Sequence, residues 1–272
     1  MLIKMAMDPL WILFLISCAV AKPLCPDECI CSPKGSSGSH ALCHGSLPHY
    51  YSFGINLQHL RISDVIDEPF TLGPAYFSGS SYSTLVSLQI RNTSLIAVQE
   101  NTFAGLSILY DLDLSENQLL SDFDPNAIVG ANNLRILSLS GSKGVFTNFS
   151  GPIIHSKHLT ELDLSRCGIK ELHWDTFSSL PGLSYLVLSD NELTSIPAGT
   201  FDYLTVLEEL DLSGNRISFF PSSLFLKNED LTVLKLRENP VSFIPDSLFS
   251  NDSILVEIDL SGTMLDSLAL PS

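Results

Sequence analysis

The side chains in this sequence best suited to chemistry are carboxylates that come in pairs. Asp111 and Asp113, Glu161 and Asp163, Glu209 and Asp211, and Glu257 and Asp259 are each two positions apart. That spacing puts both acids of a pair on one face of a β-strand. Paired acids can cleave glycosidic bonds, one donating a proton while the other attacks or activates water. They can also supply oxygens to calcium, or form a negative surface that draws a basic partner. The other reactive group is sulfur. Cys25, Cys29, Cys31 and Cys43 crowd into one short stretch, and Cys167 stands alone.

The N-terminus sets the compartment. Lys4, the short apolar run LWILFLI (10–16) and the small-x-small stretch AVA (19–21) have the order of a signal peptide, 1–21, cut after Ala21. The apolar run is short for a membrane span, and no later apolar segment approaches the length that a span needs. Cys18 would leave with the leader. In an oxidising compartment the four clustered cysteines imply two disulfides. Zinc, with His40, His44, His49 and His59 nearby, is the competing reading, although the spacing lacks a paired C-x-x-C or H-x3-5-H knuckle in the usual order. A calcium site of six or more oxygens is not visible in the sequence, and no cofactor motif is. Charged residues are 16% of 272, yet acids outnumber bases 30 to 14, an excess of 16 negative charges. A nucleic-acid partner needs clustered Lys and Arg, so this balance argues against one. The expected partner is an extracellular protein or glycan with a basic patch.

The elements that carry the acid pairs repeat. The stretch LEELDLSGNRI (207–217) returns as LTELDLSRCGI (159–169) and LYDLDLSENQL (109–119). Aligned on the first leucine, units start at Leu85, Leu109, Leu134, Leu159, Leu183, Leu207, Leu231 and Leu255, in steps of 24 or 25. A weaker and longer copy starts at Leu57 and runs to the unit at Leu85. Strand alternation turns Leu210 and Leu212 inward and Glu209 and Asp211 outward. Asn215 sits where the chain leaves the strand, and its amide can pair backbone groups there. Asn117, Asn191 and Asn239 repeat it, while Thr93, Ser142, Cys167 and Thr263 replace it elsewhere. Cys167 therefore reads as a buried structural thiol and not as a nucleophile.

Phe103, Phe177, Phe201, Phe225 and Phe249 each fall eighteen positions after a leading leucine and are expected to fill the core from the far side. Pro197, Pro221 and Pro245 recur once per unit, which favours irregular or 3-10 turns there. The units starting at Leu109 and Leu134 lack the phenylalanine and are longer by a single position. SGSKGVFTNFSGP (140–152) reads as a bulging loop, without the full G-x4-G-K-[ST] spacing of a phosphate cradle.

The pattern L-x-x-L-x-L-x-x-N-x-L, in eight in-phase copies, resembles the leucine-rich repeat. The resemblance covers residues 57–272. It implies an α/β fold: a curved right-handed solenoid with a parallel β-sheet on the concave face and irregular or 3-10 turns on the convex face. CPDECIC (25–31) with Cys43 resembles the N-terminal flanking module of extracellular members, which implies the pairs Cys25–Cys31 and Cys29–Cys43. The expected domains are a signal peptide (1–21), a cysteine-rich cap (22–56) and a solenoid of about nine repeats (57–272). The last unit stops before its phenylalanine position. That raises the expectation of an incomplete chain, or of an end covered by a partner, because an open leucine core is a liability.

The outward pairs define the expected site: Asp111, Asp113, Glu161, Asp163, Tyr185, Glu209, Asp211, Lys235, Glu257 and Asp259, with Tyr185 as the anchor. The alternative is that aspartate in L-D-L-S serves solubility. Sequons at Asn92, Asn148 and Asn251 are expected to carry glycans, the one on Asn92 shielding one end of the concave face. The resemblance to Toll-like receptor, Slit-type and small leucine-rich proteoglycan ectodomains implies non-catalytic recognition, as part of a receptor or of a secreted adhesion or matrix protein. The alternatives are a secreted hydrolase and a passive structural matrix component. Against catalysis, the acids belong to a repeated series on an open sheet, with no pocket to shift a pKa.

Overall fold

A computed structural model describes residues 25–35, 38–45, 53, 56–66, 68–145 and 151–265. The expected leader, His49, the sequon at Asn148 and the chain end beyond residue 265 lie outside the described residues.

Every leading motif forms a short strand, because alternate leucines can leave water only if they face one side. In chain order the strands are β1 (Cys29–Gly35), β2 (Gly38–His44), β3 (His59–Ser63), β4 (Phe70–Leu72), β5 (Ser87–Arg91), β6 (Leu95–Val98) and β7 (Asp111–Asp113). They continue as β8 (Asp122–Phe123), β9 (Ile136–Ser138), β10 (Glu161–Asp163), β11 (Tyr185–Val187), β12 (Glu209–Asp211), β13 (Val233–Lys235) and β14 (Glu257–Asp259). The main sheet runs β1-β2-β3-β5-β7-β9-β10-β11-β12-β13-β14. Its pairs are parallel from β2 onward, and only the cap hairpin β1–β2 is antiparallel.

The near-constant repeat length sets the register. Leu112, Leu137, Leu162, Leu186, Leu210 and Leu234 stand side by side and are buried, and Leu207 and Ile217 close their unit at either end. Each fully buried leucine contributes about 2 kcal/mol. No single unit could hide these side chains, so the stack is the folding unit.

The phenylalanines fill the opposite wall. Phe177, Phe201, Phe225 and Phe249 stack with centroid spacings of 6.1, 5.7 and 5.5 Å. These spacings exceed the roughly 4.8 Å between strands, which bends the sheet inward. Phe103 stacks at 5.7 Å on Phe77, a ring from the irregular first unit that the count from the leading leucine does not reach. In the two longer units the place is filled by Ile128 and Ile153, both buried. Each lies six positions before the next leading leucine, as Phe103 and Phe177 do, so the extra residue falls ahead of this position.

Among the described residues the convex side has no α-helix, and its one helical element is the 3-10 turn Ser80–Tyr82. It also carries an unforeseen second sheet, β4-β6-β8, parallel throughout. The sheet ends at β8, with two units between it and the first of the recurring prolines, which bar its return further on. The Gln99 amide donates to Leu72 O at 2.9 Å. Pro197, Pro221 and Pro245 occupy the matching position in later units and have no N–H to donate.

In the cap, Cys25–Cys31 and Cys29–Cys43 are bridged, the pairing that the resemblance implies. With all four sulfurs in disulfides, none is a thiolate for zinc, and the zinc reading is withdrawn. Among the described residues no helix is long and apolar enough to cross a membrane.

Candidate functional site on the concave sheet

The strand register builds the site. One outward row reads His40, His59, Ser87, Asp111, Ile136, Glu161, Tyr185, Glu209, Val233, Glu257. The next reads Leu42, Arg61, Gln89, Asp113, Ser138, Asp163, Val187, Asp211, Lys235, Asp259, by the same pairings. All ten residues expected from the sequence therefore lie on one face.

The two acids of a pair do different work. In the second row, Asp113, Asp163, Asp211 and Asp259 each accept the amide N–H of the serine two positions on, at 3.0, 2.9, 2.8 and 2.9 Å. This is an Asx turn that closes the strand. These aspartates are half-buried. Their recurrence in D-L-S thus has a folding cause, distinct from both recognition and solubility. In the first row, Glu161 and Glu257 are exposed. Asp111 and Glu209 are half-buried, and Asp111 is the more constrained. It accepts the Ser87 hydroxyl at 2.8 Å, and its carboxyl is pushed above the ordinary range by burial and by Asp113, while Ser87 and His59 oppose the shift.

Tyr185 sits at the centre of the acidic stretch and is 41% exposed. Its hydroxyl donates to Glu208 Oε2 at 3.2 Å. The negative field of Glu208, that hydrogen bond, and the charges of Glu209 and Glu161 raise the phenol above its usual value. Glu208 precedes the outward row and was missed in the sequence. Lys235 bonds to Glu209, so one acid of the row is neutralised within the protein. That hydrogen bond and the surrounding acids hold the ammonium above its ordinary value.

The rim beside the strands holds a second repeated feature that was not read from the sequence. Asn92, Glu116, Gly141, Arg166, Asp190, Gly214, Glu238 and Gly262, the eighth positions of their units, all have positive φ. This lets the Asp190 amide, for example, pair with Ser213 O at 2.8 Å in the next unit. A Cβ at Gly214 would collide with Asp190 Oδ1, so the acid of one unit leans over the glycine of the next. Gly, Asn or Asp fills five of these eight positions, which is the sequence signal for it, while Glu116, Arg166 and Glu238 take the same conformation without it.

Behind the strands, the asparagine amides form a ladder. Asn117, Asn191, Asn215 and Asn239 are buried. Asn215 Nδ2 donates to Leu188 O and Leu212 O, both at 2.9 Å, and its Oδ1 accepts from Leu193 N at 3.1 Å. Cys167 donates to Leu139 O at 3.2 Å in the same position. Burial pushes its thiol up to about 12, the wrong direction for a nucleophile. Asn92 is exposed and donates to Asp64 Oδ1 at 2.7 Å. Asn251 is exposed in a turn.

A parallel coil with one sequence repeat per turn, an asparagine ladder and a disulfide-bonded cap define a leucine-rich repeat solenoid of the extracellular type. Residues 83–143 and 157–217 match the leucine rich repeat family. The Tsukushi protein of Xenopus tropicalis is 27% identical over 180 residues, which cover 62% of this chain and 49% of that protein. The chain thus spans about half the length of that curated relative. Human 5T4, also called trophoblast glycoprotein, shares the fold with a TM-score of 0.63 at 24% identity, over 82% of this chain and 83% of that one. A chain of the Drosophila Toll–Spatzle complex shares it with a TM-score of 0.54 at 23% identity, over 77% of this chain and 24% of that one. The chain thus has the repeats, the disulfide-bonded cap and the solenoid fold of the extracellular leucine-rich repeat type.

Proposed function

We propose that the concave sheet recognises an extracellular protein through the row Glu161, Tyr185, Glu209, Val233 and Glu257, and that the partner presents a basic patch. The observation that carries this reading is the register that sets an exposed tyrosine between carboxylates on an open sheet. Tyrosine gives large contact area at little entropic cost, and anchors of this kind dominate binding energy. The flanking acids steer a basic partner and fix its register. The aspartates of the second row support the strand ends, and Lys235 limits the repulsion. A glycan partner has no comparable support, since the face is acidic where it is most exposed.

The wider assignment is part of the same proposal. Residues 1–21 serve as the signal peptide, 22–56 as the cap and 57–272 as the recognition solenoid of a receptor or of a secreted adhesion or matrix protein. Asn92, Asn148 and Asn251 carry glycans.

The test begins with a partner captured from secreted proteins, identified and purified, with affinity then measured for each variant. Tyr185→Ala and the double variant Glu161→Lys/Glu257→Lys are expected to weaken binding by at least about thirtyfold, as hot-spot losses near 2 kcal/mol do. Trp174→Ala, at an exposed ring outside the concave sheet, leaves affinity unchanged. Concave variants that bind like the wild type would remove the proposal.

A further inference from the structure

At the cap end the concave face changes character. The register of β2, β3 and β5 aligns His40 with His59 and Ser87, and Leu42 with Arg61 and Gln89. These side chains, with Ile30 and Ser32 of β1, line a hollow of about 420 Å3. The rings of His40 and His59 are stacked, with centroids 4.6 Å apart and planes 14° from parallel. Arg61 is exposed, and Ile30 is 69% exposed and forms an apolar wall. The lining holds an arginine, two imidazoles, hydroxyls and an amide, and no carboxylate.

We propose that this hollow receives an acidic side chain, Glu or Asp, presented with an apolar neighbour by a loop of the protein partner. This deepens the concave-face reading and rests on it. The partner then carries a basic patch over Tyr185 and an acidic finger at the cap. The chemistry follows from the lining. A guanidinium offers paired donors to a carboxylate. Two stacked imidazoles repel each other once both are protonated, and an anion between or beside them relieves that repulsion. Ile30 and Leu42 supply contact for the apolar neighbour. A single acidic finger fits better than an extended polyanion, because a chain leaving the hollow along the sheet would run over Asp111, Asp113 and Glu161.

Imidazole is the side chain whose charge changes between pH 5 and 8, so occupancy rises on acidification. The charged groups around the pair are accounted for strand by strand. The lining residues of β1, Ile30 and Ser32, are uncharged. Beyond His40, β2 ends at His44, whose Nδ1 is 3.7 Å from Asp64 Oδ2. From β3 comes Arg61. Arg91 at the end of β5 is 3.5 Å from Asp113 Oδ2. From β7 comes Asp111, which is held by the Ser87 hydroxyl and lies in the field of His59.

The experiment uses the whole protein with 13C-labelled histidine and a capped tripeptide, acetyl-Leu-Glu-Leu-amide, followed by NMR of the His40 and His59 ring signals. Saturable shifts of both rings are expected at pH 5.5, at least about fivefold weaker at pH 7.5. The Leu-Gln-Leu peptide and the Arg61→Gln variant each bind at least about tenfold more weakly, the loss of one charge-assisted hydrogen bond. The peptide is read at the His40 and His59 rings and the Tyr185 surface with the purified partner, so failure of the Tyr185 surface and failure of the hollow are read separately. Equal shifts with the glutamine peptide, no change with Arg61→Gln, or no shift at pH 5.5 each overturn the proposal. A heparin tetrasaccharide that saturates the same rings more tightly than the peptide overturns it in favour of a sulfated glycan.

Discussion

Asn215→Ala tests whether the asparagine ladder is the polar spine of this solenoid. The substitution removes four hydrogen bonds, one of them a long contact to Ser213 O at 3.3 Å, and they are not equivalent. Leu188 O also accepts from Asn191 Nδ2 at 2.9 Å, and Leu212 O from Asn239 Nδ2 at 2.8 Å. Each carbonyl therefore keeps one donor. The Leu193 N–H loses the Asn215 Oδ1 that it donates to. A buried donor left unpaired costs about 1–3 kcal/mol, and each half-satisfied carbonyl adds about 0.5 kcal/mol, for a loss near 2–4 kcal/mol. The sharing of carbonyls makes a sharper claim. In Asn191→Ala/Asn215→Ala, Leu188 O loses both side-chain donors, so the double loss exceeds the sum of the singles by about 1 kcal/mol or more. Asn191 and Asn239 share no carbonyl, since Asn191 bonds Leu164 O and Leu188 O while Asn239 bonds Leu212 O and Leu236 O. Asn191→Ala/Asn239→Ala is therefore additive within about 0.5 kcal/mol. Urea unfolding followed by circular dichroism measures all five variants against the wild type, compared at unchanged slope. Additivity in both doubles, or a single loss below about 1 kcal/mol, would refute the ladder as the source of this stability.

Other outcomes follow from the outward face and the lone thiol. Asp211→Ala frees the Ser213 amide and lowers stability by about 1 kcal/mol, while Asp211→Asn keeps the Asx turn and Glu209→Gln changes stability by less than about 0.5 kcal/mol; urea midpoints decide, and equal effects at 209 and 211 would dissolve the distinction between the two rows. The Cys167 thiol is raised in the fold to about 12 from an ordinary value of 9.0. Its neutral form thus contributes stability that is fully present below pH 9.0 and is lost as pH rises toward about 12, since the unfolded chain ionises first. Cys167→Ala should flatten that alkaline fall in a midpoint-against-pH series, and a wild-type thiol that reacts with a disulfide reagent at pH 8 without unfolding would contradict its burial.

The two hypotheses that the acid pairs first raised have parted on physical grounds. Catalysis needs a carboxyl held against its preference in a closed site. Here the second-row aspartates are tied to serine amides, Glu161 and Glu257 are open to solvent, Glu209 is paired with Lys235, and Asp111, whose carboxyl is pushed up by burial, is held by the Ser87 hydroxyl on an open sheet. The same open geometry suits recognition, where many shallow contacts share the work.

Much of this was decided by the sequence alone. Leucines two apart, returned once in every repeat, can be buried only by strands in parallel register, so the spine and the outward rows were legible from Leu57 to Leu255. The asparagine ladder was legible for the same reason, because a polar side chain that recurs at an inward turn must have backbone to bond. Tertiary structure alone decided what depends on neighbours far apart in the chain. The stacking of His40 on His59 comes from the docking of the cap hairpin onto the first repeat, which no periodicity announces. Glu208 reaches Tyr185 across 23 positions, and Ile128 and Ile153 take ring sites because packing counts from the next leucine and not the last one. A repeat fixes which way each side chain faces; which unlike side chains then meet on that face is set by the stack, because their contact energies appear only once the strands lie side by side.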